Sequence, residues 1–433
     1  MQLLKYKLGE LLDVSRGASL SGEFYSSEGE LIRLTLGHFD YQNGGFKENT
    51  SKDNLYFVGP VKSQFILNEG DIITPLTEQT PGLLGSTAMI PESGKYIQSQ
   101  DVALIRCKED KLDSMFCYYL LPSKIVKSQL GAAAQQTKIR HTTPDRIKDV
   151  IVFIPELEEQ RRIGATLYAI DKKIALNREI NRNLEAMSRQ LYDYWFVQFD
   201  FPDENGKPYK SSGGKMVWNE RLKREIPDNW VVENLSDAAE IYNGATPSTA
   251  VESNYGGDIV WITPKDLSEQ QCKFVYHGAR NISQQGYDSC STHMLPTHSL
   301  LMSSRAPIGL LSISEVPLCT NQGFKSFVPK DGYDVFYIFY YIRQQLPKIE
   351  QLGTGTTFKE VSREDLMRFP ILKIPQGLQR EWLSRVESMA ERQFKSVLET
   401  DKLKKQRDEL LPLLMNGQVS VMPTEVNCDL SHD

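Results

Sequence analysis

The chain is written twice. LGELLDVSRGAS (Leu8 to Ser19) resembles LSDAAEIYNGAT (Leu235 to Thr246). Each reads as a short amphipathic piece running into a glycine turn, at Gly17 or Gly244. FCYYLLPSKIVKSQLG (Phe116 to Gly131) lies without gaps over IFYYIRQQLPKIEQLG (Ile338 to Gly353). Tyr118 and Tyr119 match Tyr340 and Tyr341; Gln129, Leu130 and Gly131 match Gln351, Leu352 and Gly353. A polar loop of small residues follows each, AAAQQTKIRHTTPD or TGTTFKEVSRED. Next comes a β-branched strand closed by Pro155 or Pro375, and then a long polar helix with Gln160-Arg161 or Gln379-Arg380 near its start. A solenoid needs at least three repeats. Two copies offset by half the chain predict a pseudo-twofold arrangement in the order globule, helix, globule, helix. Chance likeness between two α+β domains is the alternative, and the ungapped match in the same order argues against it.

The first helix is expected over 157–195, which holds no proline and one glycine, Gly164. Ile163, Leu167, Ile170, Ile174, Ile180, Leu184, Met187, Leu191 and Tyr194 recur in steps of three and four, near the heptad period. Asn177 and Asn181 interrupt this stripe, either fixing register from inside a coiled coil or facing solvent. The second helix is expected from about Gln379 to Leu411, with Trp382, Val386, Met389, Val397, Leu403 and Leu410 on its stripe and Pro412 closing it. Stripes so narrow call for one partner helix each. Pseudo-twofold symmetry makes the pair antiparallel, with Ile163, Leu167, Ile170, Ile174, Leu184, Leu191, Trp382, Val386, Met389 and Leu403 as the expected interface. Such a helix is a rod of about 57 Å, the length of about 17 base pairs. It is either a spacer between two DNA-reading globules or a stabilising hairpin with no ruler role, and periodicity alone favours the hairpin.

These features divide the chain into a globule at 1–155, a helix at 156–198, a connector at 199–229, a globule at 230–375, a helix at 376–415 and a polar tail at 416–433. The connector alternates Lys with Asp and Glu between glycine and proline turns, as an exposed segment with a short hairpin would. The fold class is α+β. A length of 433 residues accommodates about three domain-sized units.

Lys and Arg number 50 against 56 Asp and Glu, a net charge of −6. This excludes a strongly basic chain that coats nucleic acid, but not a reader with local basic patches. The six cysteines form no CxxC pair, as in a reducing cytosol. The start MQLLKYKLGELL has no signal-peptide core, and the most apolar run, Val335 to Ile342, is too short to span a bilayer. There is no GxxxxGK phosphate loop, no GxGxxG after a strand, no HExxH and no clustered metal ligands. His293 and His298, set around a proline, read as loop residues. The methyltransferase motifs Asn/Asp-Pro-Pro-aromatic and Pro-Cys are also missing. These absences point to a binding or assembly protein, with no metal or cofactor site visible in the sequence.

Binding chemistry is present at equivalent places in the repeat. Gln135, Gln136, Lys138, Arg140 and His141 crowd the loop of the first copy, and Thr354, Thr356, Thr357 and Lys359 that of the second. Gln pairs bidentately with adenine and Arg with guanine, while Lys holds phosphate. Lys265 after VWITP, Arg305 in SSRAPIG, and Asn321, Gln322 and Lys325 around TNQG are further candidates.

LEEQRRIGATLYAIDKKIALNREINRNLEAMSRQLYDYWFVQFDFP (Leu157 to Pro202), IPDNW (Ile226 to Trp230), TNQGF (Thr320 to Phe324) and LLPLLMNGQVSV (Leu410 to Val421) complete the reading. With these segments the chain resembles a type I restriction-modification specificity subunit over nearly its whole length. The resemblance implies two target-recognition domains, each reading half of an asymmetric bipartite site in double-stranded DNA. It implies conserved helices that pack antiparallel, set the spacer and bind two methyltransferase (M) subunits, which carry S-adenosylmethionine and methylate adenine. Restriction (R) subunits, with ATP and Mg, would add DNA cleavage; the complex would be cytoplasmic. The first copy departs from the second in two places: IQSQD (Ile97 to Asp101) replaces TNQG, and PLTEQTPGLLG replaces SSRAPIGLL, leaving Arg305 without a basic counterpart. GLQREW is also a weaker helix start than LEEQRR. A coiled-coil adaptor that never touches DNA is the competing class, and a fused nuclease or methyltransferase the competing enzyme.

Overall fold

The computed structural model describes residues 2–41, 43–78, 82–133, 140–270, 272–305, 307–354 and 359–421. Two units emerge from the packing. Unit 1 is Met1–Ala175 with Thr400–Asp433, and unit 2 is Leu176–Glu399, so the division falls inside both long helices.

In unit 1 the strand Leu4–Lys7 pairs antiparallel with Ile151–Ile154, Leu4 opposite Ile154. The chain then makes one helical turn, Leu8–Leu11, which buries Leu8 and Leu11 and begins with Leu8 N–H donating to Val150 O at 2.9 Å. It continues as the strand Leu12–Arg16, the edge of a four-stranded sheet. Val102–Cys107 lies next, then Ile72–Pro75, then Ala88–Met89, each pairing antiparallel with its neighbour. Alternation along Leu12–Arg16 sends Leu12 and Val14 inward and Asp13 and Ser15 outward.

Unit 2 repeats this plan. Val231–Asn234 pairs with Pro370–Lys373, Leu235 N–H donates to Phe369 O at 2.8 Å, and the turn Leu235–Ala238 leads into the strand Ala239–Asn243. That strand pairs with Phe324–Pro329, then Leu300–Ser304, Ile308–Ser314 and, in parallel, Phe274–Val275. The sequence repeat is thus a repeat of topology, and the fold class is α+β.

The matched tyrosine segments differ in one respect. The second is a single helix, Val335–Leu352, carrying Pro347 inside it. The first is two helices, Ser114–Leu120 and Lys124–Ala133. Pro122 has no N–H to give to the Tyr118 carbonyl, which accepts from Thr87 Oγ1 at 2.8 Å instead. Both versions bury the helix under the sheet, with Phe116, Tyr119 and Leu120 in unit 1 and Phe336 to Ile342 in unit 2.

The long helices span Leu157–Tyr192 and Gln376–Met415. The second does not stop at Pro412, as the sequence suggested. A proline in the last turn forfeits only one bond, its carbonyl still accepts from Asn416 N at 3.0 Å, and Leu414 and Met415 gain burial in the unit 1 core. The end comes at Gly417, in the left-handed region at φ 70°. In unit 1, Ile163 and Leu167 share one apolar cluster with Leu414 and Met415, and Arg407 Nη1 reaches Asp171 Oδ1 at 2.9 Å. In unit 2, Asn177 Nδ2 donates to Glu399 Oε2 at 2.8 Å, Gln393 Nε2 to the Asn181 carbonyl at 3.1 Å, and Tyr192 meets Trp382 with ring centres 6.2 Å apart. Partners descend along one helix as they ascend along the other, so the helices pair antiparallel within each unit.

Of the expected interface, Ile163, Leu167, Ile174, Trp382 and Val386 are buried, and Ile170, Leu184, Leu191, Met389 and Leu403 are half-buried. Met187 and Tyr194, placed on the stripe by periodicity, are 55% and 37% exposed. Asn177 and Ser188 occupy the seam instead, so the Asn177 amide faces inward.

At the end of the first helix a wider turn, Asp193–Val197, closes with Gln198 N–H donating to Asp193 O at 2.8 Å. One extra residue in the turn aims both Trp195 and Phe196 at the core. The connector is not merely exposed. Phe199, Phe201 and Ile226 are buried in the unit 2 core, and Phe201 stacks between Tyr209 at 4.8 Å and Trp230 at 5.1 Å. The connector also forms the hairpin Met216–Asn219 with Arg224–Pro227.

Candidate nucleic-acid interface

The glycine turns that open each repeat press on the same structural feature. A Cβ built on Gly17 would lie 2.3 Å from Ser99 O; one on Gly244 would lie 2.1 Å from Asn321 O and 2.4 Å from Thr320 O. Only glycine permits that approach. The next amide then pairs: Ala18 N with Gln98 O at 3.0 Å, Ala245 N with Thr320 O at 2.9 Å. IQSQD and TNQG therefore hold the same place despite their different wording. Gly244→Ala is expected to push the Thr320–Asn321 backbone away at about 1–3 kcal/mol of stability, read as a lower urea midpoint. An unchanged midpoint would mean that the turn yields freely.

Around TNQG, several candidate residues of unit 2 converge. Ser304 N–H donates to Gly323 O at 2.8 Å and Val361 N–H to Ser304 O at 3.1 Å. Arg305 and Glu360 face each other across an isolated antiparallel bridge. These bonds gather Arg305, Gln322, Lys325 and Lys359. Lys265 joins them at the start of the helix Pro264–Glu269, whose Pro264 packs beside Gly323. The side chains differ in freedom. Lys359 and Gln322 are exposed, and Gln322 accepts from Thr246 Oγ1. Lys265 is an exposed member of a loose pair with Glu269 at 3.7 Å. Asn321 Oδ1 is spent on Gly323 N at 2.9 Å. Lys325 is 7% exposed and holds Glu360 Oε1 at 3.0 Å. A groove of about 440 Å³ runs past Asn243, Lys325, Thr354, Glu360 and Arg363.

In unit 1, Gln135, Gln136 and Lys138 lie outside the described residues, as does Thr356 in unit 2. Arg140 and the exposed His141 form a short strand paired with Thr77 and Glu78. Arg140 Nη1 is 3.6 Å from Glu78 Oε1. Glu78 is 1% exposed, and its Oε2 accepts from Leu83 N at 2.7 Å and Leu84 N at 3.0 Å. Burial, and then the charge of Glu78, push the Tyr41 phenol up to about 12.

The two acids at the loop roots escaped the sequence reading. Glu78 stands opposite Arg140 as Arg305 stands opposite Glu360, with the signs exchanged between strands. Arg305 does lack a basic counterpart on its own strand; unit 1 carries its arginine on the facing one. The signal was present as Glu78 in PLTEQT and Glu360 in TFKEV, but only the pairing register gives it meaning.

Among the described residues no group of three or more His, Cys, Asp or Glu is arranged to hold a metal ion, and no helix is long and apolar enough to cross a membrane. The family described as "Type I restriction modification DNA specificity domain" matches residues 4–186 and again 227–391, one match to each copy of the repeat. The chain belongs to the type I restriction-modification specificity family. One specificity subunit, of the MjaIX type I restriction enzyme of Methanocaldococcus jannaschii, is 36% identical over 163 residues, a match covering 36% of this chain and 38% of that subunit. Another, of the HindI enzyme of Haemophilus influenzae, is 24% identical over 411 residues, 83% of this chain and 89% of that one. The crystal structure of a type I S subunit from M. genitalium has the same fold, with a TM-score of 0.60 at 16% identity over 96% of each chain.

Proposed function

We propose that this specificity subunit reads a bipartite, asymmetric site in double-stranded DNA, one half-site per copy of the repeat. The observation that carries this is the double match to a DNA specificity domain, falling on two copies of one topology. Support comes from an arginine paired with an acid at the loop root of each copy, Arg140 with Glu78 and Arg305 with Glu360, and from the exposed Lys265, Gln322 and Lys359 beside the second, which suit base edges and phosphates. The chain itself is non-catalytic. It scaffolds two M subunits, which bring S-adenosylmethionine, and R subunits, which bring ATP and Mg, in the cytoplasm. Its contribution to adenine methylation is positional: it places the target base before a partner that extracts and modifies it.

Methylation sequencing of cells with and without the gene tests this. Loss of one bipartite adenine motif on deletion is the expected result, and an unchanged methylome in cells expressing the cognate M subunit would refute it. Arg305→Ala and Arg140→Ala are each expected to relax one half of the motif by about 1–3 kcal/mol per lost bidentate contact. A motif unchanged in both halves would remove that arginine from the interface.

A further inference from the structure

A groove of about 390 Å³ in unit 2 is walled by the two helices that bracket its candidate loop. Gln345, Lys348 and Leu352 line it from the last turns of Val335–Leu352. Asp365 and Arg368 line it from Arg363–Arg368, and Arg221 from the hairpin turn of the connector. Arg221 is anchored, donating to Val232 O at 3.2 Å and Asn234 Oδ1 at 2.7 Å. The carboxylate of Asp365 is engaged by Ser362 Oγ at 2.6 Å. Lys348 and Arg368 are exposed and have no ion pair or hydrogen bond among the described residues. The groove is therefore concave and net cationic, with Arg221, Lys348 and Arg368 against the one carboxylate of Asp365.

Unit 1 does not repeat it. The ungapped tyrosine-segment match sets Lys348 against Val126, which is fully buried. Arg368 precedes the carbonyl that accepts from Leu235 N; the residue preceding the corresponding carbonyl, Val150 O, is Asp149, paired with Lys7 at 3.1 Å. The packing plan common to both units therefore does not require these cations.

We propose that this groove holds the phosphate backbone of duplex DNA beside the second recognition loop. The inference rests on the DNA-reading function proposed above and adds to it a site of contact. A lysine on a flexible stem and a free arginine over a partly apolar floor suit phosphodiester oxygens. Such contacts position a duplex without reading its sequence. An acidic protein segment carries the same charge, but walls that lead directly into and out of the recognition loop favour DNA.

The test uses the full chain, with any methyltransferase that co-purifies, and follows duplex binding by fluorescence anisotropy from about 50 to about 200 mM salt. The double variant Lys348→Ala, Arg368→Ala is expected to bind more weakly on every duplex. The slope of log affinity against log salt should become shallower by about 0.9 for each phosphate contact removed. Lys207→Ala, an exposed lysine of the connector, should change neither. Both altered groove residues are exposed, so an unchanged thermal melt checks folding. An unchanged slope with wild-type binding intact would overturn the groove and leave the DNA-reading function standing. An unchanged slope with loss of methyltransferase co-purification would overturn it in favour of a protein partner. Failure of the wild-type preparation to bind any duplex would overturn both.

Discussion

Glu185→Ala is expected to destabilise unit 2 by about 3–5 kcal/mol, the cost of stranding a buried charge. The charge is Lys273, whose Nζ lies 2.8 Å from Glu185 Oε2 and 2.8 Å from Tyr340 Oη. Glu185 also pairs with Arg343, accepts from Tyr340 Oη at 3.1 Å and lies 3.5 Å from Gln393 Nε2. One carboxylate on the first long helix thus ties down the sheet side, the buried tyrosine helix and the second long helix. Lys273→Met should cost much less, because it removes the buried ammonium and leaves Glu185 with Arg343. Urea denaturation of the three proteins compares them directly; a Glu185→Ala midpoint equal to wild type would show that Lys273 escapes to water.

The same cluster sets a pH dependence. Burial pushes the Glu185 carboxyl up, but Lys273 and Arg343 together with the Gln393 amide outweigh it and hold it below its usual 4.5. For the more deeply buried Lys273, burial wins over the pull of Glu185 and its ammonium is held below 10.5. A carboxylate depressed in the fold contributes stability that is complete above its unfolded value and lost as pH falls through its folded one. The gap between wild type and Glu185→Ala should therefore be full at neutral pH and close below about pH 4.5.

Trp382→Ala is the second large effect, at about 3–5 kcal/mol. The ring is 0% exposed and lies edge-on to Phe196 at 5.3 Å, Tyr192 at 6.2 Å and Tyr340 at 6.3 Å. Its removal opens a cavity where both long helices and the tyrosine helix meet, and rigid aromatic neighbours close such a cavity poorly. Trp382→Phe should cost far less. It keeps most of the ring contacts and removes an indole N–H that is buried with no acceptor among the described residues, a group whose desolvation is itself unfavourable by about 1–3 kcal/mol. Equal losses for the two variants would mean that the indole finds a partner in solution.

Much of this architecture could be read from local pattern. The repeat, the β-branched strands before Pro155 and Pro375, and both long helices follow from apolar periodicity and glycine and proline placement. What escaped depends on residues far apart in the chain. Pro122 splits a helix, with Thr87 Oγ1 taking the freed Tyr118 carbonyl, while Pro347 stays inside one, although both lie in matched segments and residue type alone does not tell them apart. Met187 falls on the periodic stripe yet faces solvent, because its neighbour Ser188 is the residue that meets Met389 across the seam. The loop candidates were chosen by residue type, and type cannot show that Lys325 is buried against Glu360 while Lys359 is exposed. The groove around Lys348 and Arg368 needed three segments brought together, none of which carries a motif.

The polar seam has a consequence for how this chain can change over time. A helix advances about 100° per residue. Adding or losing one residue between the Asn177–Glu399 and Tyr192–Trp382 contacts would swing one of them out of line. An amide left inside without its partner costs about 1–3 kcal/mol, so an intermediate length would be penalised at once. An insertion of about seven residues, close to two full turns, restores the phase. Length in this helix pair is therefore quantised: neutral drift one residue at a time is blocked, and the accessible variants differ by about whole numbers of turns, such as about seven or about eleven residues.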